Sequence, residues 1–180
     1  MKIRTGFVSN SSSSSFIIAF PHKPKSVEEV QEMLFGKQEW HYNGLAYGEE
    51  PRDVPVRPIA ERVFSKIKKK ATKKEIFESI ADGWFSDYML IFPGHVDYFN
   101  DPEYRAIDRS TVEGRLEMDA YYDKCDKENN KRAKNIAEAF RRVHDDKYIV
   151  VMKFSDNSGE VIEEHTGIFE RLEHIRTSYH

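Results

Sequence analysis

Gly6-Phe7-Val8-Ser9-Asn10-Ser11-Ser12-Ser13-Ser14-Ser15-Phe16-Ile17-Ile18-Ala19-Phe20 places five consecutive serines between two apolar segments. Serine-rich tracts are ordinarily flexible linkers with polar flanks. This tract instead runs straight into Phe16–Phe20, a short apolar run with the chemistry of a strand. Anchored at both ends by residues that prefer burial, it cannot wander far. Two readings stay open. The run is an extended connector of small residues, or its N–H groups and hydroxyls are held facing an anion. A P-loop is not among the options, because no Gly-Lys-Ser/Thr ending follows.

Phe16–Phe20 is too short and apolar to stand alone, so it needs partners that cover both faces and satisfy its backbone. The other strand signals lie at the far end of the chain. Tyr148–Phe154 is apolar on both faces until Lys153 interrupts it, the pattern of a central strand able to pair on both edges. Asp156-Asn157-Ser158-Gly159 reads as a turn, and Glu160–Glu164 as the return strand of a hairpin. Thr166–Leu172 reads as a loop or one helical turn. His174–Tyr179 alternates Ile175, Thr177 and Tyr179 with His174, Arg176 and Ser178, as a half-buried strand does. With strands at the two ends and helices between them, the economical fold is one α+β domain over residues 1–180. A small mixed sheet would join the termini, with the helical middle on one face. The serine run then lies beside His174–Tyr179.

The helices announce themselves by their caps. Ser26-Val27-Glu28-Glu29 is a capping box, followed by Val27, Val30 and Leu34 at helical spacing and by Gly36. Lys37 to Arg57 reads as an irregular excursion carrying Trp40, Tyr42, Leu45 and Tyr47. Pro58 suits a first helical turn, with Ile59, Val63 and Ile67 as the buried stripe. Thr72-Lys73-Lys74-Glu75 opens another helix, with Ile76, Phe77 and Ile80 inward and Gly83 at its end. Tyr88–Phe92 is a buried strand or a helical turn stopped by Pro93-Gly94. Ser110-Thr111-Val112-Glu113 is a third capping box, before a long helical region expected to fray near Asp123–Asn130. Beyond that break, Ala133, Ile136, Ala137, Phe140 and Val143 form a clean stripe. Tyr121, Tyr122 and Cys125 read as core or partly buried surface.

Composition bounds the function. Across 180 residues the chain is 39% apolar and 13% aromatic, enough for a packed core. Its net charge of −3 gives no global attraction to nucleic acid or anionic membrane. The single cysteine, Cys125, excludes an intrachain disulfide and fits a reducing compartment. Lys2 and Arg4 lack the apolar stretch a signal peptide needs. A cytoplasmic protein without membrane spans is expected. The lysines Lys66, Lys68, Lys69, Lys70, Lys73 and Lys74 crowd one helix junction without interleaved aromatics. They read as a solvated helix end, so nucleic acid is not an expected partner. His95 and Asp97, two apart, form an incomplete ligand pair, and no metal is assigned.

The opening Met1–Phe16, with its Gly-Phe-Val-Ser-Asn-Ser core, resembles the start of a family of uncharacterised bacteriophage and bacterial proteins. The ending His174-Ile175-Arg176-Thr177-Ser178-Tyr179-His180 is similar to endings in that group. The resemblance covers the two ends only. It implies a mobile-element or bacterial origin and brings no catalytic residues or cofactor.

The function expected is a non-catalytic binding protein that engages a cellular macromolecule, most simply a protein. Its candidate ligand-binding residues are Ser11, Ser12, Ser13 and Ser14, with positive charge from Arg4, His174, Arg176 and His180. The alternative is a small hydrolase or phosphate-ligand enzyme using the serine segment with His165, His174, His180, Glu163 and Glu164. No Gly-x-Ser-x-Gly elbow supports it. A pocket joining the serines to a histidine would favour the enzyme, and an aromatic surface around Trp40–Tyr47 the binding protein.

Overall fold

The computed structural model describes residues 13–43, 52–81, 101–155 and 167–179. At its centre is β1 (Ser13–Phe20), paired antiparallel on one side with β4 (Tyr148–Ser155) and on the other with β5 (Glu173–Tyr179). The α+β class and the union of the two chain ends in one sheet are as expected. Three details differ. All pairings among the described strands are antiparallel, with no parallel pair of a mixed sheet among the described residues. The middle position belongs to β1, while β4 lies at the side of the described sheet. The helices also cover both faces of the sheet.

Each difference has its source in side chains. β1 is apolar on both faces, as a strand in the middle must be. Phe16, Ile18 and Phe20 face one way into a core with Val30, Leu34, Val56, Ile59, Val63, Met152 and Phe154. Ile17 and Ala19 face the other way, into Ile76, Ile80, Ala133, Ala137, Ile149 and Ile175. Two cores, one on each side, require two helical layers. α1 (Val27–Phe35) and α2 (Val56–Lys66) supply the first, and α3 (Lys73–Ala81) with the end of α5 (Val112–Val143) the second. Ile168 and Phe169, in the turn before β5, are buried in the first core.

The caps act largely as read. Thr72 and Glu75 form a reciprocal box: Glu75 N–H donates to Thr72 Oγ1 (3.2 Å) and Thr72 N–H to Glu75 Oε2 (2.8 Å). Ser26 accepts from Glu29 N–H at 3.3 Å, but the Glu29 carboxylate takes the Lys25 N–H (2.5 Å) and meets the His22 ring. That box is therefore half closed. The third cap is Thr111, one residue after the expected serine, with Gly114 N–H donating to its hydroxyl at 2.9 Å. Ser110 instead donates to Asp108.

The expected break near Asp123–Asn130 is absent: α5 runs unbroken for 32 residues, about 48 Å. No Gly or Pro interrupts that polar stretch, and both of its ends are anchored. Ala133 and Ala137 pack on the sheet, while Tyr121 and Cys125 pack on Tyr104 of the short α4 (Pro102–Ala106). The excursion after α1 is also more regular than expected. Trp40–Asn43 (β2) and Arg52–Pro55 (β3) form a two-stranded antiparallel ribbon. The readings at Leu45, Tyr47, Gly83, Tyr88–Phe92, His95, Asp97, Asp156–Glu164 and His165 lie outside the described residues. Among the described residues, no helix is long and apolar enough to cross a membrane.

Candidate functional site

The last three serines of the run enter the fold as ladder. Ser13, Ser14 and Ser15 pair with Tyr179, Ser178 and Thr177 on one side and with Ser155, Phe154 and Lys153 on the other. Because strand side chains alternate, Ser14 and Ser15 go to opposite faces, and both are buried. Ser15 Oγ lies 2.8 Å from Ser79 Oγ on α3. Thr177 Oγ1, beside it, donates to the Ser79 carbonyl at 3.0 Å. The Ser15 and Ser79 hydroxyls thus satisfy each other and the Thr177 hydroxyl is satisfied by backbone carbonyl, so all three buried polar side chains are partnered where the sheet meets α3, which is what low-dielectric burial requires. Their small volume lets α3 approach the strand closely.

On the opposite face, Arg176 Nη2 donates to Ser14 Oγ at 3.5 Å, and its guanidinium lies 5.8 Å from the Phe16 ring centre. His174, two residues earlier on β5, has Nδ1 2.9 Å from the Leu172 carbonyl and its ring near Phe169. Of the expected ligand-binding set, the fold brings Ser14 and Arg176 together. His174 is directed to its own turn, and Ser13 takes a ladder position. Arg4, Ser11, Ser12 and His180 lie outside the described residues.

Two other surfaces carry chemistry. The first is the β2–β3 ribbon. A two-stranded ribbon is marginal alone, and this one is tied down on its inner face. His41 stacks at 5.5 Å on Phe35, Val54 packs on the first core, and Val56 N–H donates to the Glu39 carbonyl at 3.1 Å. The outer face is left with Trp40 and Tyr42, 58% and 64% exposed. Exposed Glu39 precedes them, and exposed Asp53 pairs with Tyr42 across the strands.

The second is a cavity of about 320 Å³ between the α2–α3 connection and β4. Lys66, Lys68, Lys69 and Lys153 line it, with Ser79 and Val151 deeper in the wall. Lys66 Nζ donates to the Lys153 carbonyl at 3.0 Å and stands over the Phe154 ring. Burial, with Arg62 and Lys68 nearby, lowers its pKa from the usual lysine value. Sequence reading treated the lysines of this junction as one solvated cluster. It did not place Lys153, 87 positions from Lys66, beside them. The only signal was the charge that interrupts the apolar run Tyr148–Phe154.

At the mouth of the cavity Lys69 pairs with Glu75 at 2.8 Å. Lys69, then the Thr72 N–H and hydroxyl, hold the Glu75 carboxyl at about 2 against an ordinary 4.5. A carboxyl whose pKa is lower folded than unfolded stabilises the fold above the unfolded value and ceases to do so as pH falls through the folded one. Glu75→Gln is therefore expected to destabilise fully above about pH 4.5. Its deficit against wild type should shrink towards pH 2. Urea unfolding at a series of pH values measures it, and a deficit independent of pH would contradict the assignment.

No family model, curated protein or solved structure matches the chain.

Proposed function

We propose that this is a non-catalytic binding protein of phage or bacterial origin that engages a cellular protein through the outer face of the β2–β3 ribbon. The observation that carries the reading is the exposure of Trp40 and Tyr42 side by side on a ribbon whose other face is anchored. Side chains two apart on a strand share a face. Tryptophan and tyrosine are the residues that most often dominate interface energies, because a rigid ring buries much area for little lost entropy. The acidic flank points to a protein partner with a basic rim. Exposed Glu39 and Asp53 would repel a phosphate backbone. The origin rests on the resemblance of the chain ends.

The test places a photo-crosslinking phenylalanine analogue at position 42 of the full chain in bacterial cells. The captured protein is then purified and its affinity measured. Trp40→Ala/Tyr42→Ala is expected to weaken binding about tenfold or more while leaving thermal unfolding nearly unchanged, since both rings are exposed. Unaltered affinity in that variant, or crosslinks confined to nucleic acid, would overturn the reading.

A further inference from the structure

We propose that the outward face of the α3–α5 layer binds double-helical nucleic acid through its phosphates, without reading base sequence. The proposal is independent of the ribbon, which packs with the first core on the other side of the sheet. It starts from where the charge lies. Residues 68–81 carry five lysines against Glu75 and Glu78, and residues 127–143 carry six cations against Glu128 and Glu138. Together these segments hold a net charge of +7 in a chain whose total is −3. With a Debye length of about 8 Å in physiological salt, an approaching anion responds to this layer and hardly to distant carboxylates.

The fold makes one surface of two segments that are remote in sequence. α3 and the second half of α5 cover the same side of the sheet, with Ile76, Ile80, Ala133 and Ala137 turned inward. Ala71 N–H donates to the Ile149 carbonyl at 2.8 Å, and β4 starts five residues after α5 ends. The beginning of α3 therefore lies at the end of α5 that bears Arg141 and Arg142. Along α5, Lys127, Lys131, Lys134, Glu138 and Arg141 follow at spacings of four, three, four and three residues. Such spacing keeps side chains on one face of a helix, here the face turned from Ala133 and Ala137. The row spans about 21 Å and is interrupted by one carboxylate. Lys127, Lys131 and Lys134 are exposed, as are Lys70 and Lys73 at the start of α3. The other carboxylates of the two segments are engaged elsewhere: Glu75 by Lys69, Glu78 by Lys74 and Glu128 by Arg132.

The surroundings of the row select a duplex over other polyanions. Single-stranded bases are held by stacking on exposed aromatic rings. Phe77 and Phe140, the aromatic residues of these two segments, are instead packed against the second core. A lipid surface is held by an apolar face beside the basic one, and this row offers only lysine, arginine and glutamate. What remains is attraction to phosphate. It grows with charge density, and a duplex places one charge in about every 1.7 Å of its axis. Taken by themselves, the junction lysines resemble a solvated helix end. The row on α5, far along the chain, joins them only through the fold.

Fluorescence anisotropy of a short labelled DNA duplex, titrated with the full chain over a range of salt concentrations, tests the proposal. A dissociation constant in the micromolar range is expected at low salt. The logarithm of affinity should fall against that of salt with a slope of about −4, as some four phosphate contacts require. Lys131→Glu/Lys134→Glu should weaken binding about tenfold or more and flatten the slope. Lys23→Glu/Lys37→Glu makes the same change in net charge at exposed positions flanking α1, in the other layer, and should leave affinity close to wild type. Lysine and glutamate are both good helix formers, so thermal unfolding of the first variant should stay near wild type. Should it nonetheless fail to fold, Lys134→Gln alone must still weaken binding and flatten the slope. The proposal is overturned if the duplex does not bind at low salt, or if both double variants weaken binding equally. It is overturned too if a single strand of the same length binds more tightly than the duplex. Binding to vesicles of anionic phospholipid without binding to the duplex would likewise overturn it.

Discussion

Ile17→Ala is expected to lower the unfolding free energy by about 2–5 kcal/mol, and Val151→Ala, directly across the ladder, by about 1 kcal/mol. The two residues are register partners on β1 and β4 and face the same core. Ile17 is fully buried with a strand on each side, whereas Val151 is partly exposed beside the cavity. Removing Ile17 beyond Cβ leaves a void that can collapse only if β4, β5 and α3 all shift, and close-packed interiors resist this. At Val151 solvent or the lysine stems can move in. Equilibrium urea unfolding decides it. Equal losses at the two positions would contradict the tighter packing of β1 at the centre of the described sheet.

That pair also shows which parts of the fold could be read in advance. Both strands appear in the sequence as apolar runs, and the longer one, Tyr148–Phe154, looks the more central. Centrality depends on whether both faces find a core. Phe16, Ile18 and Phe20 find α1 and α2, while Ile17 and Ala19 find α3 and α5. Periodicity shows that a face is apolar and is silent on what meets it. The caps at Ser26 and Thr72 were legible because their chemistry is local. The unbroken course of α5 was not, because Tyr104, which holds its first half, lies in a separate short helix. Capping a helix takes four residues in sequence; anchoring one takes a neighbour from elsewhere.

The candidate sites divide along the same line. The aromatic segment Trp40–Tyr47 was visible as a possible surface, although its ribbon geometry was not. The serine run was visible as an anomaly, and both readings of it were framed around its flexibility or its ligands. In the fold, Ser15, Ser79 and Thr177 instead form a buried polar joint between strand and helix. A serine on a strand reads as weak β propensity until a partner hydroxyl 64 positions away makes its burial affordable. The lysine cavity was the least legible, since Lys153 joins it only through the return of β4.

Gly114→Val is expected to loosen the first turns of α5 by about 3 kcal/mol while leaving the sheet intact. Gly114 is the third residue of the helix, and a Cβ there would lie 1.8 Å from the Asp108 carbonyl oxygen and 2.6 Å from its carbon. Those atoms are backbone, so no side-chain rotation relieves the overlap. Asp108 must move, and with it the turn in which Thr111 N–H (3.4 Å) and Thr111 Oγ1 (3.1 Å) both donate to that carbonyl. The Thr111 cap on Gly114 N–H is strained by the same displacement. Against this, replacing glycine inside a helix ordinarily gains about 0.5–1 kcal/mol from reduced backbone freedom. The overlap outweighs that gain several times over. The damage should spread to α4, whose Tyr104 packs on Tyr121 and whose N-cap Asp101 accepts from the Tyr121 hydroxyl at 2.8 Å. Cys125, buried in that cluster with its thiol pKa raised by burial, then becomes reachable. Two readouts follow: faster hydrogen exchange at amides 112–118 with β1 amides unchanged, and faster reaction of Cys125 with an aromatic disulfide reagent. A variant as stable as wild type, with its thiol equally slow, would show that Asp108 does not hold the start of the long helix.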